Sequence, residues 1–393
     1  MVGIGAGGWS DLGGTQQSAL LSAKVIMGSG RQLGLLPPSV SAERIEWPSP
    51  LLPALPGLLA AHAGPGVCVL ASGDPMFHGI GATLVRLLGA SAVRVLPHPS
   101  SVSLAAARLG WSLASAEVVS LVTAEVSVLR RAVNPGRRIL VLSRDGTTPA
   151  AVAALLDSVG YGSAALTVLS QLGGPGEGRI SASASDWDKA DVDPLNVIAI
   201  DCGEGPALSL APGLPDSSYM SDGQLTKREV RAVTLSVLAP VPGGLLWDVG
   251  AGSGSIGIEW MRSHPSCRAV AVEPRADRVA TITTNASSLG VPGLHVVHGS
   301  APAALEGLPT PDTIFIGGGL TRDGVLDACL AALRPGGRLV ANAVTVESEA
   351  SLAAAYAAHG GEMTRIAVNR ASPVGGFTGW RAMMPVTIWS VTR

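Results

Sequence analysis

The stretch DVGAGSGSIGIE, residues 248–259, follows a short apolar run and decides the fold of the second half of the chain. It contains two overlapping glycine signatures. Gly252, Gly254 and Gly257 fit GxGxxG, which is typical of dinucleotide-binding proteins. Gly250 and the first two of these fit GxGxG behind an acidic residue, which is typical of proteins that bind S-adenosylmethionine. Both patterns predict a glycine turn between a strand and a helix, where backbone N–H groups approach a ligand closely.

Two carboxylates bear on the choice between these ligands. Glu273 ends the next apolar run, AVAVEP, about 20 residues further on, where a carboxylate can accept both hydroxyls of an adenosine ribose in either ligand. Asp248 would face a pyrophosphate badly, but it suits the positively charged amino acid end of S-adenosylmethionine. The alternative for Asp248 is a side chain that only stabilises the turn. We therefore favour S-adenosylmethionine, and an NAD-dependent oxidoreductase is the alternative.

The order of apolar runs in this half supports the same choice. The runs lie at residues 245–249, 268–273, 294–298, 312–317, 337–342, 362–369 and 384–391. Helical segments separate the first five, whereas a loop of the type ASPVGGFTGWRA joins the last two, which predicts an antiparallel pair. A dinucleotide-binding Rossmann sheet has six parallel strands. The pattern thus predicts a class I, Rossmann-like, seven-stranded methyltransferase domain.

The chain divides at a segment rich in Gly, Pro and Ser, residues 203–223, which shows neither helical nor strand periodicity. On both sides, short β-branched runs alternate with Ala- and Leu-rich segments, as in βα units. We predict α/β modules at residues 1–202 and 224–393, with 203–223 as the linker.

Composition excludes several classes of function. Hydrophobic residues make up 47% of the chain, yet no apolar run reaches the roughly 18 residues of a membrane span. A net charge of −2 and 4% aromatic residues argue against a nucleic-acid partner. The N-terminus has no basic region before an apolar stretch, so we expect a cytoplasmic protein. The four cysteines are far apart and form no CxxC, and we expect no metal.

Two segments late in the second half of the chain contain candidate substrate-binding residues. Gly317 and Gly318 lie in IFIGGG after the fourth predicted strand, where they leave room for a bulky, flat substrate. No Asn/Asp-Pro-Pro-aromatic run is present there, so a polar amine is not the expected methyl acceptor. Arg381 lies in the late loop GFTGWRAMM. A flexible glycine loop and an ordinary surface charge are the respective alternatives.

The segment DGQLTKREVRA predicts the start of a helix, with Thr226 and Glu229 as a capping box. Its first turn carries Lys227, Arg228 and Arg231, although the helix dipole disfavours cations at this end. We interpret this density of positive charge as a binding surface for a ligand with carboxylates. The alternative is a solvated basic face.

Taken together, QLTKREVRA, DVGAGSGSIGIEW, VAVEP, HGSAPAAL and IFIGGG resemble the decarboxylating precorrin methyltransferase module of cobalamin biosynthesis over residues 220–393. With Asp248 added from the charge argument above, this resemblance implies S-adenosylmethionine contacts at Thr226, Gly250, Ala251, Gly252, Ser253, Gly254, Glu273 and Ala301.

The first module resembles a different family, the tetrapyrrole (class III) methyltransferases, through VGIGAGG, LASGDPMFHGIGATL and HPSSVSLAAARLGW. Members of that family fold the methyl donor into a cleft between two α/β halves. The resemblance implies donor contacts at Gly3, Gly5, Gly7, Gly73, Asp74, Pro75 and Ser101. Because two residues precede Gly3, the first strand is expected to be short.

A fusion of these modules in this order resembles the family of decarboxylating precorrin C(5,15)-methyltransferases. The resemblance implies one S-adenosylmethionine per module and a carboxylate-rich tetrapyrrole substrate of the precorrin-6B type. It also implies methylation at carbon 5 by the first module, and methylation at carbon 15 with loss of the carbon-12 acetate carboxyl by the second, giving precorrin-8. Glu229 is the nearest candidate for returning a proton to the former acetate carbon. We expect a homo-oligomer, formed through the C-terminal module; the alternatives are a non-catalytic N-terminal scaffold and a methyltransferase of another pathway.

Overall fold

A computed structural model describes residues 1–62, 64 and 66–393 of the chain. These residues form two compact units. The first comprises Met1–Val126 and Ala132–Pro206, and the second comprises Ser127–Arg131 and Ala207–Arg393. Each unit has its own clusters of buried apolar side chains. No helix in the described part of the chain is both long and apolar enough to cross a membrane.

The first unit contains two sheets. Its strands and helices are β1 (Val2–Ile4), α1 (Gly14–Leu21), β2 (Val25–Gly28), α2 (Gly30–Gly34), β3 (Glu43–Glu46), α3 (Leu51–Ala61), β4 (Val67–Ser72), α4 (Gly81–Leu88), α5 (Ser101–Leu109), β5 (Ala116–Ser120), β6 (Arg138–Leu142), α6 (Thr148–Ser158), β7 (Ala165–Ser170), β8 (Gly178–Ser183) and β9 (Asn196–Asp201). One sheet is parallel, in the order β1-β4-β2-β3, and the other is mixed, in the order β5-β6-β9-β7-β8. The prediction of two α/β halves is confirmed.

The second unit is built on one large sheet. Its elements are α7 (Arg228–Leu238), β10 (Leu245–Val249), α8 (Ser255–Ser263), β11 (Arg268–Glu273), α9 (Ala276–Ser288), β12 (His295–His298), β13 (Thr313–Ile316), α10 (Val325–Ala332), β14 (Arg338–Ala343), α11 (Val346–His359), β15 (Glu362–Ile366), β16 (Asn369–Val374), β17 (Phe377–Ala382) and β18 (Val386–Thr392). The strand order within the described residues is β12-β11-β10-β13-β14-β18-β15, and β18 runs antiparallel to both neighbours. The predicted seven-stranded methyltransferase sheet is therefore confirmed.

The segment between the last two strands of this sheet differs from the prediction. Instead of a loop, it forms a separate hairpin in which β16 pairs with β17. The turn consists of Gly375 and Gly376, and Gly375 has a φ of +58°, as a tight two-residue hairpin turn requires. Phe377 and Trp380 on this hairpin are 84% and 78% exposed. The hairpin thus presents aromatic side chains to solvent.

Strand β10 is buried on both faces, as expected for a central strand of a parallel sheet. Leu245, Trp247 and Val249 belong to one apolar cluster, whereas Leu246 belongs to the other. Because side chains alternate along a strand, Asp248 points to the same face as Leu246, the face that α8 covers. This register places a carboxylate inside the protein and beneath the start of α8.

The predicted linker is, for most of its length, part of the second unit. Residues from Ala207 onward belong to that unit, and Leu208, Leu214 and Tyr219 are buried in its core. The sequence prediction missed this because turn-rich composition does not reveal which scattered apolar residues are covered. The segment therefore packs as a strap over the second unit.

A buried ion pair holds this strap. Glu259 on α8 accepts hydrogen bonds from the N–H of Gly213 at 2.6 Å, the N–H of Leu214 at 3.1 Å and the hydroxyl of Tyr219 at 2.8 Å. Arg231 Nε lies 2.6 Å from the same carboxylate, and the two side chains are 0% and 3% exposed. The guanidinium also donates to the carbonyl of Leu214 and lies over the Tyr219 ring. The pair thus compensates its own charge and satisfies the backbone of the strap.

We expect Arg231→Leu to destabilise the second unit strongly. The substitution leaves Glu259 buried without its cation, and breaking one side of a buried pair costs about 3–5 kcal/mol. Denaturant unfolding of the full chain measures this loss. Arg228→Leu is the matched control, because Arg228 is an exposed arginine on the same helix. Equal unfolding free energies for the two variants would contradict the role given to the buried pair.

Candidate active site

A cavity of about 670 Å³ opens at the carboxyl ends of the parallel strands of the second unit. Its walls come from the turns after β10, β11 and β13, from the segment before α7, and from residues just before β18. Ligands of open α/β sheets bind at this edge, where the strand order reverses on either side of the first strand. The location agrees with the sequence prediction for the glycine turn.

The turn after β10 requires glycine for two reasons. Gly250, Gly252 and Gly254 have φ values of +71°, +62° and +79°, which L side chains rarely adopt. In addition, a Cβ on Gly250 would lie 2.7 Å from the backbone of Gly318, and one on Gly254 would lie 2.8 Å from Ile282 Cγ2. The glycines therefore allow the turn after β10 to contact the turn after β13 at the cavity wall.

Glu273 is the acidic side chain that lines this cavity. One carboxylate oxygen accepts the Gly252 N–H at 2.8 Å, and the other accepts the Arg275 N–H at 3.1 Å. Each oxygen keeps a further lone pair, so the carboxylate can also accept ligand hydroxyls. Glu273 thus fixes the glycine turn and faces the cavity, as the prediction of a ribose contact requires.

Asp248 lies elsewhere, and the interpretation that it faces the amino end of a ligand is corrected. It is 1% exposed and is not part of the cavity wall. One oxygen accepts the Gly257 N–H of α8 at 2.9 Å, and the other has no partner within the described residues. Burial, and then the charge of Glu273, raises the pKa of Asp248 to about 7. Asp248 therefore ties the first strand to the start of α8.

The predicted Thr226–Glu229 capping box is wrong. Helix α7 begins after Lys227 without a side-chain cap, and the Arg228 N–H instead donates to Asp216 at 2.9 Å. The strap supplies this carboxylate, which no local spacing could reveal. Thr226 and Lys227 remain in the cavity wall.

Glu229 is not placed to act on a ligand in this cavity. It lies outside the cavity wall, and its carboxylate pairs with Arg370 at 2.5 Å. The guanidinium of Arg370 lowers the pKa of Glu229, which favours the ionised form. The assignment of Glu229 as a proton donor is therefore withdrawn.

The candidate substrate-binding residues divide into two groups. Lys227, Gly317 and Gly318 line the cavity, as do the candidate donor contacts Ala251, Ser253 and Ala301. Arg231 is fully buried in the pair with Glu259 and cannot bind a substrate. Arg228 and Arg381 are exposed and lie outside the cavity wall. The substrate-binding roles predicted for these three arginines are therefore corrected. The sequence could not show this, because the burial and direction of each side chain depend on distant segments.

The structure adds cavity residues that the sequence analysis missed. Arg275, Arg278 and Arg322 contribute positive charge to the wall, and Asn342 contributes an amide. An apolar part of the wall is formed by Val344, Val368, Met383, Met384 and Val386. One signal was available, since Arg275 and Arg322 each follow closely after the carboxyl end of a predicted strand.

The first unit has a smaller cavity, of about 100 Å³, between its two sheets. Gly5, Gly73, Asp74 and Ser101 line it from the first half, while Leu142, Leu169 and Asn196 line it from the second. The cleft between α/β halves is thus present, with four of the seven candidate residues at its wall.

Gly3, Gly7 and Pro75 lie outside this wall. Gly3 is in β1, where a Cβ would collide with the Gly73 carbonyl oxygen, and one on Gly7 would collide with the Asp11 carboxylate. These two glycines are therefore explained by close packing.

No cluster of three His, Cys, Asp or Glu side chains suited to a metal ion occurs in residues 1–62, 64 and 66–393. Cys68, Cys202, Cys267 and Cys329 are buried free thiols. Burial raises the pKa of Cys202 to about 11 and that of Cys329 to about 12, so both are protonated at neutral pH.

Comparison with known proteins matches both units. Residues 1–187 match the family of Tetrapyrrole (Corrin/Porphyrin) Methylases, and residues 217–393 match the Precorrin methyltransferase domain. A precorrin-6Y C(5,15)-methyltransferase [decarboxylating] of Mycobacterium tuberculosis (strain CDC 1551 / Oshkosh) is 50% identical over 396 residues, which cover 100% of this chain and 99% of that protein. A protein of the same name from Sinorhizobium sp is 49% identical over 396 residues, covering 100% of this chain and 96% of that protein.

A shorter relative matches less than half of the chain. It is a probable cobalt-precorrin-6B C(15)-methyltransferase (decarboxylating) of Pyrobaculum calidifontis. The two chains are 37% identical over 187 residues, which cover 45% of this chain and 94% of that protein.

We expect Gly250→Ala to abolish binding of S-adenosylhomocysteine, the demethylated donor product, in the second unit. The new Cβ would meet the Gly318 backbone, and the turn would have to move out of its ligand-binding geometry. Gly243→Ala is a matched control, since Gly243 also has a positive φ, +85°, but has nothing near its Cβ position. Isothermal calorimetry on full-length variants measures the loss. An unchanged stoichiometry and affinity of S-adenosylhomocysteine binding in Gly250→Ala would contradict the proposed turn geometry.

Asp248 should make stability depend on pH. Asp248 has a pKa of about 7 in the folded protein and about 4 in the unfolded chain. As the pH rises, the unfolded chain therefore loses this proton at a lower pH than the folded protein does. Stability from this group is thus present at low pH and is lost as the pH rises from 4 to 7, by up to about 4 kcal/mol. Asp248→Asn removes the titration, so the free energy of unfolding of the variant should increase relative to that of the wild type as the pH rises from 4 to 7. Urea unfolding at several pH values tests this, and a difference that stays constant with pH would refute it.

Proposed function

The chain belongs to the family of decarboxylating precorrin-6Y C(5,15)-methyltransferases, and we propose that it performs both methylations and the decarboxylation that this name describes. The proposed substrate is a reduced, carboxylate-rich tetrapyrrole of the precorrin-6B type. The products are carbon dioxide, from the acetate on carbon 12, and a macrocycle methylated at carbons 5 and 15. The observation that carries the proposal is similarity along the whole chain, 50% over 396 residues.

We assign methylation at carbon 15 and the decarboxylation to the second unit. The name of the Pyrobaculum relative combines these two reactions, and 94% of that protein aligns within 187 residues, about the length of one module. The larger cavity of the second unit supports this assignment, because it lies beside the glycine turn and extends to an uncharged wall. Methylation at carbon 5 then belongs to the first unit.

Each unit is proposed to bind one S-adenosylmethionine, the methyl donor of this class of enzyme. In the second unit the contacts are Thr226, the turn from Gly250 to Gly254, Glu273 and Ala301. In the first unit they are the four candidates that line the smaller cleft, Gly5, Gly73, Asp74 and Ser101. When bound, the donor supplies an electrophilic methyl group on a sulfonium.

The residues of each cavity act by holding and orienting reactants. Reduced tetrapyrroles have electron-rich ring carbons, so a strong side-chain base is not required for methyl transfer. Alignment of two bound reactants can lower a barrier by about 7–11 kcal/mol. In the second unit, Gly317 and Gly318 leave space beside the donor turn, and Lys227 offers a cation for a peripheral carboxylate. The protein's contribution is thus mainly positioning.

The homo-oligomer expected from the sequence remains part of the proposal. Its support is the β16–β17 hairpin of the second unit, which exposes Phe377 and Trp380 together with Val374. Large exposed apolar groups of this kind are typical of contact surfaces between proteins. Light scattering of the wild type and of Phe377→Ser measures the state of assembly.

Reciprocal site variants test the division of labour. Glu273→Ala should abolish methylation at carbon 15 together with carbon dioxide loss, because it removes the carboxylate that holds the second donor turn. Asp74→Ala should reduce methylation at carbon 5 and leave the other two reactions intact. Mass spectrometry of products from isotopically labelled substrate distinguishes these patterns.

Thermal unfolding of both variants controls for loss of fold. Full methylation at both carbons by Asp74→Ala would favour the alternative of a non-catalytic first unit. Binding of NAD without binding of S-adenosylmethionine by the wild type would instead favour an oxidoreductase, and would overturn the whole assignment.

A further inference from the structure

The charges in the wall of the large cavity do not balance. Two of its arginines are neutralised by neighbours outside the wall: Arg275 pairs with Asp277 at 2.6 Å, and Arg278 pairs with Asp222 at 2.7 Å. For the other two cations, Lys227 and Arg322, no carboxylate among the described residues lies within ion-pair distance.

The proposed donor does not explain these two cations. S-adenosylmethionine carries a sulfonium, an ammonium and a carboxylate, so its net charge is positive. The single carboxylate in the wall, within the described part of the chain, is Glu273, and it offsets that charge. The one carboxylate of the donor can pair with only one of the two cations, so a second, negatively charged ligand is needed to use both Lys227 and Arg322.

Arg322 lies on the side of the cavity away from Glu273. Strand β10 is at the centre, with β11, which ends in Glu273, on one side and β13 on the other. Arg322 follows β13 in a turn that contains Gly319, whose φ is +80°. This turn also continues from Gly317 and Gly318, the open part of the wall. Arg322 therefore lines the cavity on the β13 side of the sheet, beside the open part of the wall.

The strand ends on this side of the cavity carry uncharged side chains. Val344 follows β14, Val368 follows β15, and Met383, Met384 and Val386 lie at the start of β18. The wall carries one polar side chain there, Asn342, whose amide nitrogen donates to Thr234 at 2.9 Å. A carboxylate held against these side chains by the bound macrocycle would find no cation among them and would lose water on the covered side, which disfavours its charged form.

We infer that Arg322 is a specificity-determining residue that binds a peripheral carboxylate of the tetrapyrrole. It thereby places the acetate that undergoes decarboxylation against the uncharged wall. The inference rests on the proposed function and adds to it the orientation of the substrate. In the step itself, the bond from the acetate CH₂ to its carboxylate breaks, and the electron pair moves into the protonated ring system. Carbon dioxide leaves, and one proton from solvent converts the CH₂ to a methyl group. Loss of negative charge is fastest where no cation stabilises the carboxylate.

The first test is a set of Arg322 variants in the full-length enzyme. Arg322→Gln should raise KM for the macrocycle about tenfold, the effect of losing one charge-assisted hydrogen bond. Arg322→Lys should recover part of this loss, and the affinity for S-adenosylhomocysteine should stay within twofold of wild type in both. Arg381→Gln is the matched control, because Arg381 is an exposed arginine of the same unit outside the cavity. An unchanged KM for Arg322→Gln would overturn the inference.

The second test places a cation on the uncharged wall. Met384 is 72% exposed, so Met384→Arg should fold, and Met384→Gln is its neutral control. The arginine should slow carbon dioxide release at least tenfold relative to methylation at carbon 15, giving methylated product that keeps its acetate. Equal ratios for the two variants would refute the role of the wall. A wild type that transfers no methyl group to the macrocycle would refute the proposed function instead, so the two failures are distinguishable.

Discussion

Close contact between two glycine turns is the constraint on which the site of the second unit depends. The turn after β10 reaches the turn after β13 so closely that a Cβ on Gly250 would lie 2.7 Å from the backbone of Gly318. Adjacent parallel strands end at the same edge of the sheet, so backbone from both turns lines one cavity. Glu273 stabilises this arrangement by accepting the Gly252 N–H. The binding surface is therefore made largely of backbone, whose geometry a single methyl group would change.

Two buried carboxylates lie near that contact, and the protein compensates their charges to different degrees. Glu259 is fully compensated, by Arg231 and by three hydrogen-bond donors of the strap. Asp248 has one donor, from Gly257, and burial raises its pKa to about 7. The charge of the first group is therefore balanced inside the protein, whereas the second becomes costly when it ionises. Both act on α8, the helix that begins at the glycine turn, so the stability of this helix and the shape of the cavity are connected.

The cavities of the two units differ in size and in the side chains that line them. Among the described residues, the cavity of the second unit, about 670 Å³, combines two cations without a carboxylate partner, one carboxylate and an apolar wall, a distribution that suits the proposed cationic donor beside a large polyanion. The cleft of the first unit, about 100 Å³, lies between two sheets, and its wall combines glycines and serines with leucine side chains, Phe77 and Arg31. If Arg322 binds a peripheral carboxylate as proposed, the second unit selects which acetate of the macrocycle lies without a cation.

The sequence alone determined the α/β class, the seven strands of the second unit and the position of its glycine turn, because strand periodicity and glycine spacing are local properties. It also placed Glu273 correctly at a strand end. Tertiary structure alone decided the roles of Asp248, Glu229 and Arg231. Glu229 pairs with Arg370, 141 residues away, and Arg231 is buried by the strap, whose sequence predicts only a linker. Charge pairing and burial depend on segments brought together by folding, and no local pattern of residues encodes which partner arrives.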